Sequence, residues 1–255
     1  MRGMACVIAA SALMLGGCAT HHAMAPAASG LSRAEFLGPT KAAMLEKSLT
    51  DGDIATTLDA DVRAKLPTSI AVAKLNFDYA CASLQTIDAE ELKGWEKVAA
   101  EQSLITGIQP LSGLAMKPAQ TETRYSTGVT LYGLRTAAAK QKCELLLVYV
   151  QADTQVENWN HAAVLYWTGV GLLIVPGTEL EHKTVMQAIL VDTRTGTILG
   201  TATGDSHLKR TTPAAYAGIE QENLAKRAPE ESLKDLQTAG RKLLSQVVAS
   251  AHAAR

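Results

Sequence analysis

The residue whose surroundings specify a chemistry most clearly is Cys18. It is preceded directly by Leu-Gly-Gly at residues 15–17, and an apolar segment over residues 4–15 follows the basic Arg2. This order of a basic and an apolar region is typical of an export signal, and the apolar region is too short to span a bilayer. Small residues let an extended chain enter a peptidase, and a thiol can carry a lipid group. These features predict an exported chain in which Cys18 stands directly after the signal region.

The four residues from Leu15 to Cys18 resemble the lipobox of bacterial lipoproteins, which has an aliphatic residue and two small residues before a cysteine. The resemblance implies a signal peptide over residues 1–17 and lipid attachment at Cys18. The attached lipid would bind the protein to a membrane. Ala19 follows the cysteine. In bacteria with two membranes, the residue after the lipidated cysteine helps to decide where a lipoprotein is sorted. By resemblance to that pattern, alanine implies that this protein is anchored in the outer membrane and faces the periplasm. An ordinary secretory signal that is cut elsewhere is the alternative.

Length and composition limit the remaining possibilities. The chain has 255 residues, of which 47% are hydrophobic and 19% charged, enough apolar material for a sizeable core. Its 24 lysines and arginines against 25 aspartates and glutamates leave no basic excess for a phosphate backbone, so we expect no nucleic-acid partner. We expect a lipidated tether over residues 18–30 and a single globular domain over residues 31–255. The oligomeric state stays open.

Two further cysteines remain in the mature chain, because Cys6 leaves with the signal peptide. Cys81 and Cys143 would share an oxidising compartment, in which they could form a disulfide. Cys81 follows a predicted strand and Cys143 precedes another, and in a parallel pair those places lie at opposite ends. The alternative is that both are small buried hydrophobic residues.

The hydrophobic pattern of the mature chain predicts alternating strands and helices. It places strands over residues 68–79, 103–111 and 144–150, helices over 32–49, 88–102, 127–142 and 230–251, and a hairpin of residues 185–192 and 197–203 around Gly196. Asp88 and Glu91 have capping-box spacing, and Pro229 precedes the last helix. This order predicts an α/β (α+β) sandwich in which a single mixed sheet of about five strands has helices packed against it.

The most unusual stretch is the run of residues 162–176, AAVLYWTGVGLLIVP, within residues 158–178, which carry no formal charge. Three interpretations stay open: a pair of buried strands, a transmembrane helix, or a hairpin or loop that enters a bilayer or a partner. A transmembrane helix needs about 20 predominantly apolar residues, which the run barely reaches. The side chains that would contact a membrane or a partner are Tyr166, Trp167, Leu172 and Ile174.

Polar residues with catalytic or metal-binding potential do not form a recognisable set. Glu179 and Glu181 stand beside His182, but a solvated strand end explains them, and residues 205–207 (Asp-Ser-His) are consecutive and so cannot all face one site. The histidines lack metal-ligand spacing. We therefore expect no enzyme activity, no metal and no other cofactor. A polar pocket that joined Glu179, His182 and Asp205 would instead indicate a hydrolase.

Part of the chain, residues 158–209, resembles the rhombotarget-type bacterial lipoproteins. The resemblance rests on residues 165–171 (LYWTGVG), residues 175–179 (VPGTE) and the strand over residues 184–192 that ends in Asp. Residues 245–255 lack the Gly-Gly, hydrophobic and basic sorting tail of that family.

The overall layout resembles a domain shared by the curli-secretion lipoprotein and by lipoproteins that activate cell-wall synthases. The lipobox, the first strand with IAVAKL at residues 70–75, ELLLVYV at residues 144–150 and LVDTRTG at residues 190–196 carry this likeness. It implies a sandwich similar to anticodon-binding domains, which works through protein contacts and assembly.

Together these features lead us to expect a lipid-anchored envelope lipoprotein that acts as a non-catalytic binding or assembly module at the membrane, with other envelope proteins as partners. The alternative is an oligomeric secretion or transport component that inserts residues 162–176 into the outer membrane as a hairpin.

Overall fold

A six-stranded mixed sheet organises the chain in this computed structural model. The structure describes residues 64–78, 81–113 and 129–253, together with Asp59. The predicted signal peptide, Cys18, the predicted tether and the helix predicted over residues 32–49 lie outside the described residues.

The elements follow one another in an order close to the predicted one. The strands are β1 (Thr68–Asp78), β2 (Cys81–Gln85), β3 (Ile105–Pro110), β4 (Leu145–Trp159), β5 (Thr178–Asp192) and β6 (Ile198–Thr212). The α-helices are α1 (Ala89–Ala100), α2 (Leu131–Lys140), α3 (Gly171–Ile174) and α4 (Ala217–Ala253). Short 3₁₀ helices span His161–Thr168 and Ala214–Tyr216.

Strand pairing divides the sheet into a parallel and an antiparallel part. On one side, β1 pairs with β4 in parallel. On its other side, the first half of β1 pairs with β3 in parallel and the second half pairs with β2 in antiparallel orientation. β4, β5 and β6 form an antiparallel meander. The predicted fold class is confirmed, with six strands in place of about five.

Helices cover both faces of the sheet around the β1–β4 pair. α1 and α4 bury one face, where Trp95 packs at a ring distance of 5.8 Å from Tyr149 of β4. α2 buries the other face, and its Leu134 is fully buried against β1 and β4. This cover on both sides explains why residues 144–150 read as a continuous apolar run.

The β4–β5 hairpin is much longer than predicted. Both strands have 15 residues and pair along their whole length, but β1 accompanies β4 only as far as Val150. At about 3.4 Å per residue, the hairpin extends nearly 50 Å. Beyond Val150 the described residues leave one face of the hairpin open, while α4 crosses the other face over β5 and β6. The far end of the hairpin is therefore well separated from the main core.

Of three local predictions, two are wrong and one is confirmed. The helix predicted to open at Pro229 begins at Ala217, and Pro229 lies inside α4. Asp88 stands at the N-cap of α1, but its side chain makes no capping hydrogen bond, so the capping box is wrong. The hairpin turn at Gly196 is confirmed, since its φ of 82° is the left-handed conformation that glycine adopts without strain.

The disulfide between Cys81 and Cys143 is not formed. Cys143 is a buried free thiol whose Sγ lies 3.2 Å from the Ser69 hydroxyl, near the start of β1. Cys81 pairs with Asp78 at the other end of β1. The two cysteines are separated by roughly 30 Å along the strand, far beyond the Cα separation of about 7 Å that a disulfide permits. Burial raises the pKa of the Cys143 thiol, which keeps it protonated.

Candidate docking surface

The far end of the β4–β5 hairpin carries a loop that is apolar and folded into helical turns. The 3₁₀ helix His161–Thr168 and the single turn of α3 replace the strands expected there. Gly169 has a φ of 72°, and a Cβ on Gly171 would overlap the Leu165 carbonyl group, so the two glycines turn the chain between the helical segments. The interpretation as buried strands is therefore wrong. We call residues 159–176 the apolar tip.

Exposed apolar side chains concentrate on this tip. Trp167 is 83% exposed and Ile174 is 69% exposed, although both belong to residue types that usually lie in cores. The other large exposed apolar side chains of the tip are Trp159, Val164, Leu165, Val170, Leu172 and Leu173. Tyr216 and Ile219 are also exposed, and the 3₁₀ helix that ends at Tyr216 contacts α3. Large contiguous apolar patches of this kind mark interaction sites on soluble domains.

Tyr166 is the one large apolar residue of the tip that is buried. Its hydroxyl oxygen accepts a hydrogen bond from the Gly177 N–H at 2.8 Å and lies 3.0 Å from the Thr178 hydroxyl. Its ring meets Trp159 edge-on at 6.4 Å. A Cβ on Gly177 would come within 2.6 Å of the Ala163 nitrogen, so only glycine permits this approach. Tyr166 thus closes the base of the tip and does not face outward.

Asn160 closes the same loop from the other side. Its carboxamide oxygen accepts a hydrogen bond from the Ala162 N–H at 2.9 Å, and its amide nitrogen donates to the Pro176 carbonyl at 3.2 Å. Its backbone N–H donates to the Gly177 carbonyl at 2.8 Å. These bonds link the two ends of the tip to each other where β4 and β5 meet it.

The four residues predicted as contact residues therefore divide into two groups. Trp167, Leu172 and Ile174 are exposed, as a contact surface requires, whereas Tyr166 is a positioning residue. The absence of charge over residues 158–178 marks the tip in the sequence. Trp159 was not predicted as a contact residue, because it ends β4, and the strand predicted there stopped at residue 150.

Tyr166→Phe should loosen the tip without unfolding the domain. The substitution removes the hydroxyl that bonds both the Gly177 N–H and the Thr178 hydroxyl, so that the Gly177 N–H keeps only the Val175 carbonyl at 2.9 Å, at a cost of about 0.5–1.5 kcal/mol. We expect faster hydrogen exchange of the Gly177 amide and a modestly lower melting temperature. Tyr132→Phe, on an exposed α2 side chain, is the matched control and should change neither. Unaltered exchange at Gly177 in Tyr166→Phe would show that the hydroxyl does not hold the tip.

The polar residues considered for catalysis lie on opposite faces of the hairpin. Glu181 faces the open side, where its carboxylate lies 3.2 Å from His207 Nε2 and 2.6 Å from Lys209 Nζ. These two partners hold the pKa of Glu181 below its usual range. Alternation along β5 and β6 places Glu179 and Asp205 on this same side.

His182 points the other way, into the layer beneath α4. It is buried, and its Nε2 lies 3.5 Å from Asp153 Oδ1, which also accepts a hydrogen bond from the Thr184 hydroxyl. The hydroxyl of Ser206 donates to the Ala228 carbonyl of α4 at 2.7 Å. The structure therefore does not join Glu179, His182 and Asp205 into one pocket, and the hydrolase interpretation is wrong for that set.

The described residues offer neither a metal site nor a helix that could cross a membrane. Within the described ranges, no three side chains of histidine, cysteine, aspartate or glutamate are grouped so that they could hold a metal ion. Of the helices in the same ranges, none combines the length and the apolar character required to cross a membrane.

Comparisons with known proteins leave the family open. The sequence matches no family model and no curated protein. Among solved structures, the chain is similar to the hypothetical protein CT253 from Chlamydia trachomatis, with 9% identity and a TM-score of 0.22 over 72% of this chain and 95% of that chain. A TM-score this low supports no argument about fold or function.

Proposed function

We propose that this chain is a lipid-anchored lipoprotein of the bacterial envelope that works as a non-catalytic binding module, with the apolar tip as its binding surface. The single observation that carries the proposal is the exposed apolar surface on residues 159–176. The motif that ends at Cys18 supports attachment to the outer membrane, on its periplasmic side. Envelope proteins are the proposed partners of the anchored domain, and the rhombotarget-type lipoproteins are its proposed family.

The energetics of the tip favour a binding role. Burial of one large apolar side chain contributes about 1.5–3 kcal/mol, and the tip leaves eight such side chains exposed. A lipid anchor adds to this effect, because it keeps the tip at a high effective concentration near other components of the same membrane. Contacts of the tip that are individually weak are then sufficient for binding to components of that membrane.

The alternative, a transport component that inserts residues 162–176 as a hairpin, is not favoured by any contact that we observe. Insertion as a hairpin requires two paired strands within residues 162–176. The run instead folds into a 3₁₀ helix and one turn of α-helix.

Replacing both Leu172 and Ile174 by lysine tests the proposed binding surface. Because both side chains are exposed, we expect an unchanged melting temperature but a loss of most in-cell crosslinks between the anchored protein and other envelope components. The measurement is crosslinking of the full chain in cells, with mass spectrometry of the adducts and circular dichroism of the purified variants. Ile198→Lys is the matched control, since Ile198 is an exposed residue at the other end of β6. An unchanged crosslinking pattern in the double variant would refute the tip as the surface that brings the domain to envelope proteins.

A further inference from the structure

We propose that the apolar tip docks on a lipid bilayer and enters its interfacial layer, so that the domain has a second membrane attachment besides the lipid on Cys18. The inference rests on the proposed function and names the occupant of the binding surface. It differs from a transmembrane insertion, because the tip would enter only the boundary between head groups and acyl chains.

The shape and chemistry of the tip fit a bilayer better than a protein pocket. Residues 158–178 carry no formal charge, so entry into the interface desolvates no ionised group. Trp167, Ile174 and Val164 are each at least two-thirds exposed and therefore protrude. A protein partner would need a separate pocket for each protruding side chain, whereas a fluid interface accepts all of them.

The two tryptophans of the tip have the side chain most suited to this layer. Trp159 and Trp167 are 71% and 83% exposed. Indole rings favour the membrane–water interface, where the ring is buried among lipids and its N–H stays hydrated or bonded to head groups. Both residues sit at the far end of the hairpin, Trp159 at the last position of β4 and Trp167 in the 3₁₀ helix.

The backbone of the tip is already hydrogen-bonded. The Ala163 N–H donates to the Asn160 carbonyl at 3.0 Å, and the Val175 N–H donates to the Gly171 carbonyl at 2.9 Å. Polar backbone groups without partners are costly in an apolar layer, so a loop can enter it only when its own turns satisfy them. The 3₁₀ helix and α3 meet this requirement.

Charges next to the tip predict how binding depends on salt. Lys209 is paired with Glu181, and Arg210 Nε lies 3.4 Å from a Glu220 carboxylate oxygen. Because both signs are present and paired, the tip offers no basic cluster for anionic lipids. Bilayer docking should therefore depend little on ionic strength.

Chain length allows both attachments to share one membrane. The start of β1 lies at the opposite end of the sheet from the tip, since the Glu144 N–H beside β4 donates to the Thr68 hydroxyl. The tip is thus nearly 50 Å away, from about 3.4 Å per residue along β4. With residues 32–49 counted as the predicted helix at about 1.5 Å per residue and the rest fully extended at about 3.3 Å, the chain from Cys18 to Ala64 reaches at most roughly 120 Å. Lipid and tip can therefore contact the same bilayer.

Tryptophan fluorescence of the full lipidated protein tests this inference directly. The chain has three tryptophans, and Trp95 is fully buried in the core. We would reconstitute the protein in phosphatidylethanolamine–phosphatidylglycerol vesicles with brominated acyl chains, which quench only indoles that contact them. We expect a blue-shifted spectrum and loss of most of the tip emission. The double variant Trp159→Phe/Trp167→Phe should retain only the unquenched Trp95 signal.

The outcomes separate this inference from the proposed function. Unquenched tip tryptophans, together with crosslinks that the Leu172→Lys/Ile174→Lys variant loses, would overturn the lipid as occupant but leave the tip as a binding surface for protein. Unquenched tryptophans with a concentration-dependent crosslink between two copies would assign the surface to self-association and also overturn the inference. Quenching that persists at high salt would support it.

Discussion

Gly204→Ala is expected to detach α4 from the sheet and to destabilise the domain severely. Gly204 lies in β6 where α4 crosses it, and a Cβ there would overlap the Leu236 nitrogen and the Ser232 carbonyl and lie 2.7 Å from Leu236 Cα. The overlapping atoms are mostly helix backbone, which cannot move aside as a flexible side chain can. The helix must shift as a whole.

The shift would also break buried hydrogen bonds. The Ser232 hydroxyl donates to the Gly204 carbonyl at 2.9 Å, and the Ser206 hydroxyl donates to the Ala228 carbonyl at 2.7 Å. Overpacking and the loss of such bonds together should cost about 3–5 kcal/mol. That is a large part of the 5–15 kcal/mol, roughly, by which a domain of this kind is stable.

Chemical denaturation of the purified variant measures this effect. Gly107→Ala is the matched control, because Gly107 also lies in a strand, β3, and a Cβ there meets nothing within 4 Å. The control should be neutral or slightly stabilising, since alanine loses less backbone entropy than glycine on folding. Equal stability of the two variants would contradict the close approach of α4 to β6.

Cys18→Ala is expected to abolish lipid attachment. Without the thiol no diacylglycerol can be added, so the cleavage after Gly17 that depends on this lipid should also fail. Each buried CH₂ contributes about 0.8 kcal/mol, and stable anchoring needs more than one acyl chain. The variant should lose all incorporation of labelled palmitate and should not be recovered in the outer membrane.

Intact-mass analysis and palmitate labelling in cells check this prediction. Cys6→Ala is the matched control, because Cys6 lies in the same signal segment but not in the motif, and it should leave labelling unchanged. A wild-type product that starts at Cys18 with an unmodified thiol, or that starts downstream of it, would remove the basis for the membrane location.

The local sequence pattern was enough to predict those elements that lie fully inside the main core. β1 and residues 144–150 are recognisable because the main core covers them and their apolar residues are nearly continuous. β2 was not predicted, since a strand of five residues with Ser83 at its centre has too little periodicity to be distinguished from a loop. The outer half of β4 was missed for a related reason. Its residues are mostly half-buried, and polar residues such as Asp153 and Gln155, on the same face as His182, interrupt the apolar pattern that marks the first half.

Pro229 illustrates how tertiary packing overrides a local signal. Proline is typical of a first helical turn, so the sequence favoured a helix that begins there. In the structure, Leu224 and Ala228 are buried before it, and this burial carries α4 through the proline.

By itself, the sequence determined the mixed α/β class and the uncharged character of residues 158–178, because each is a property of composition and spacing along the chain; the lipid on Cys18 stays a prediction. Only the tertiary structure decided that this run is an exposed tip, that Tyr166 supports it from beneath and that His182 faces away from Glu181. Exposure and facing depend on which elements pack together from distant parts of the chain, and in an all-apolar run no polar position marks the side that meets water.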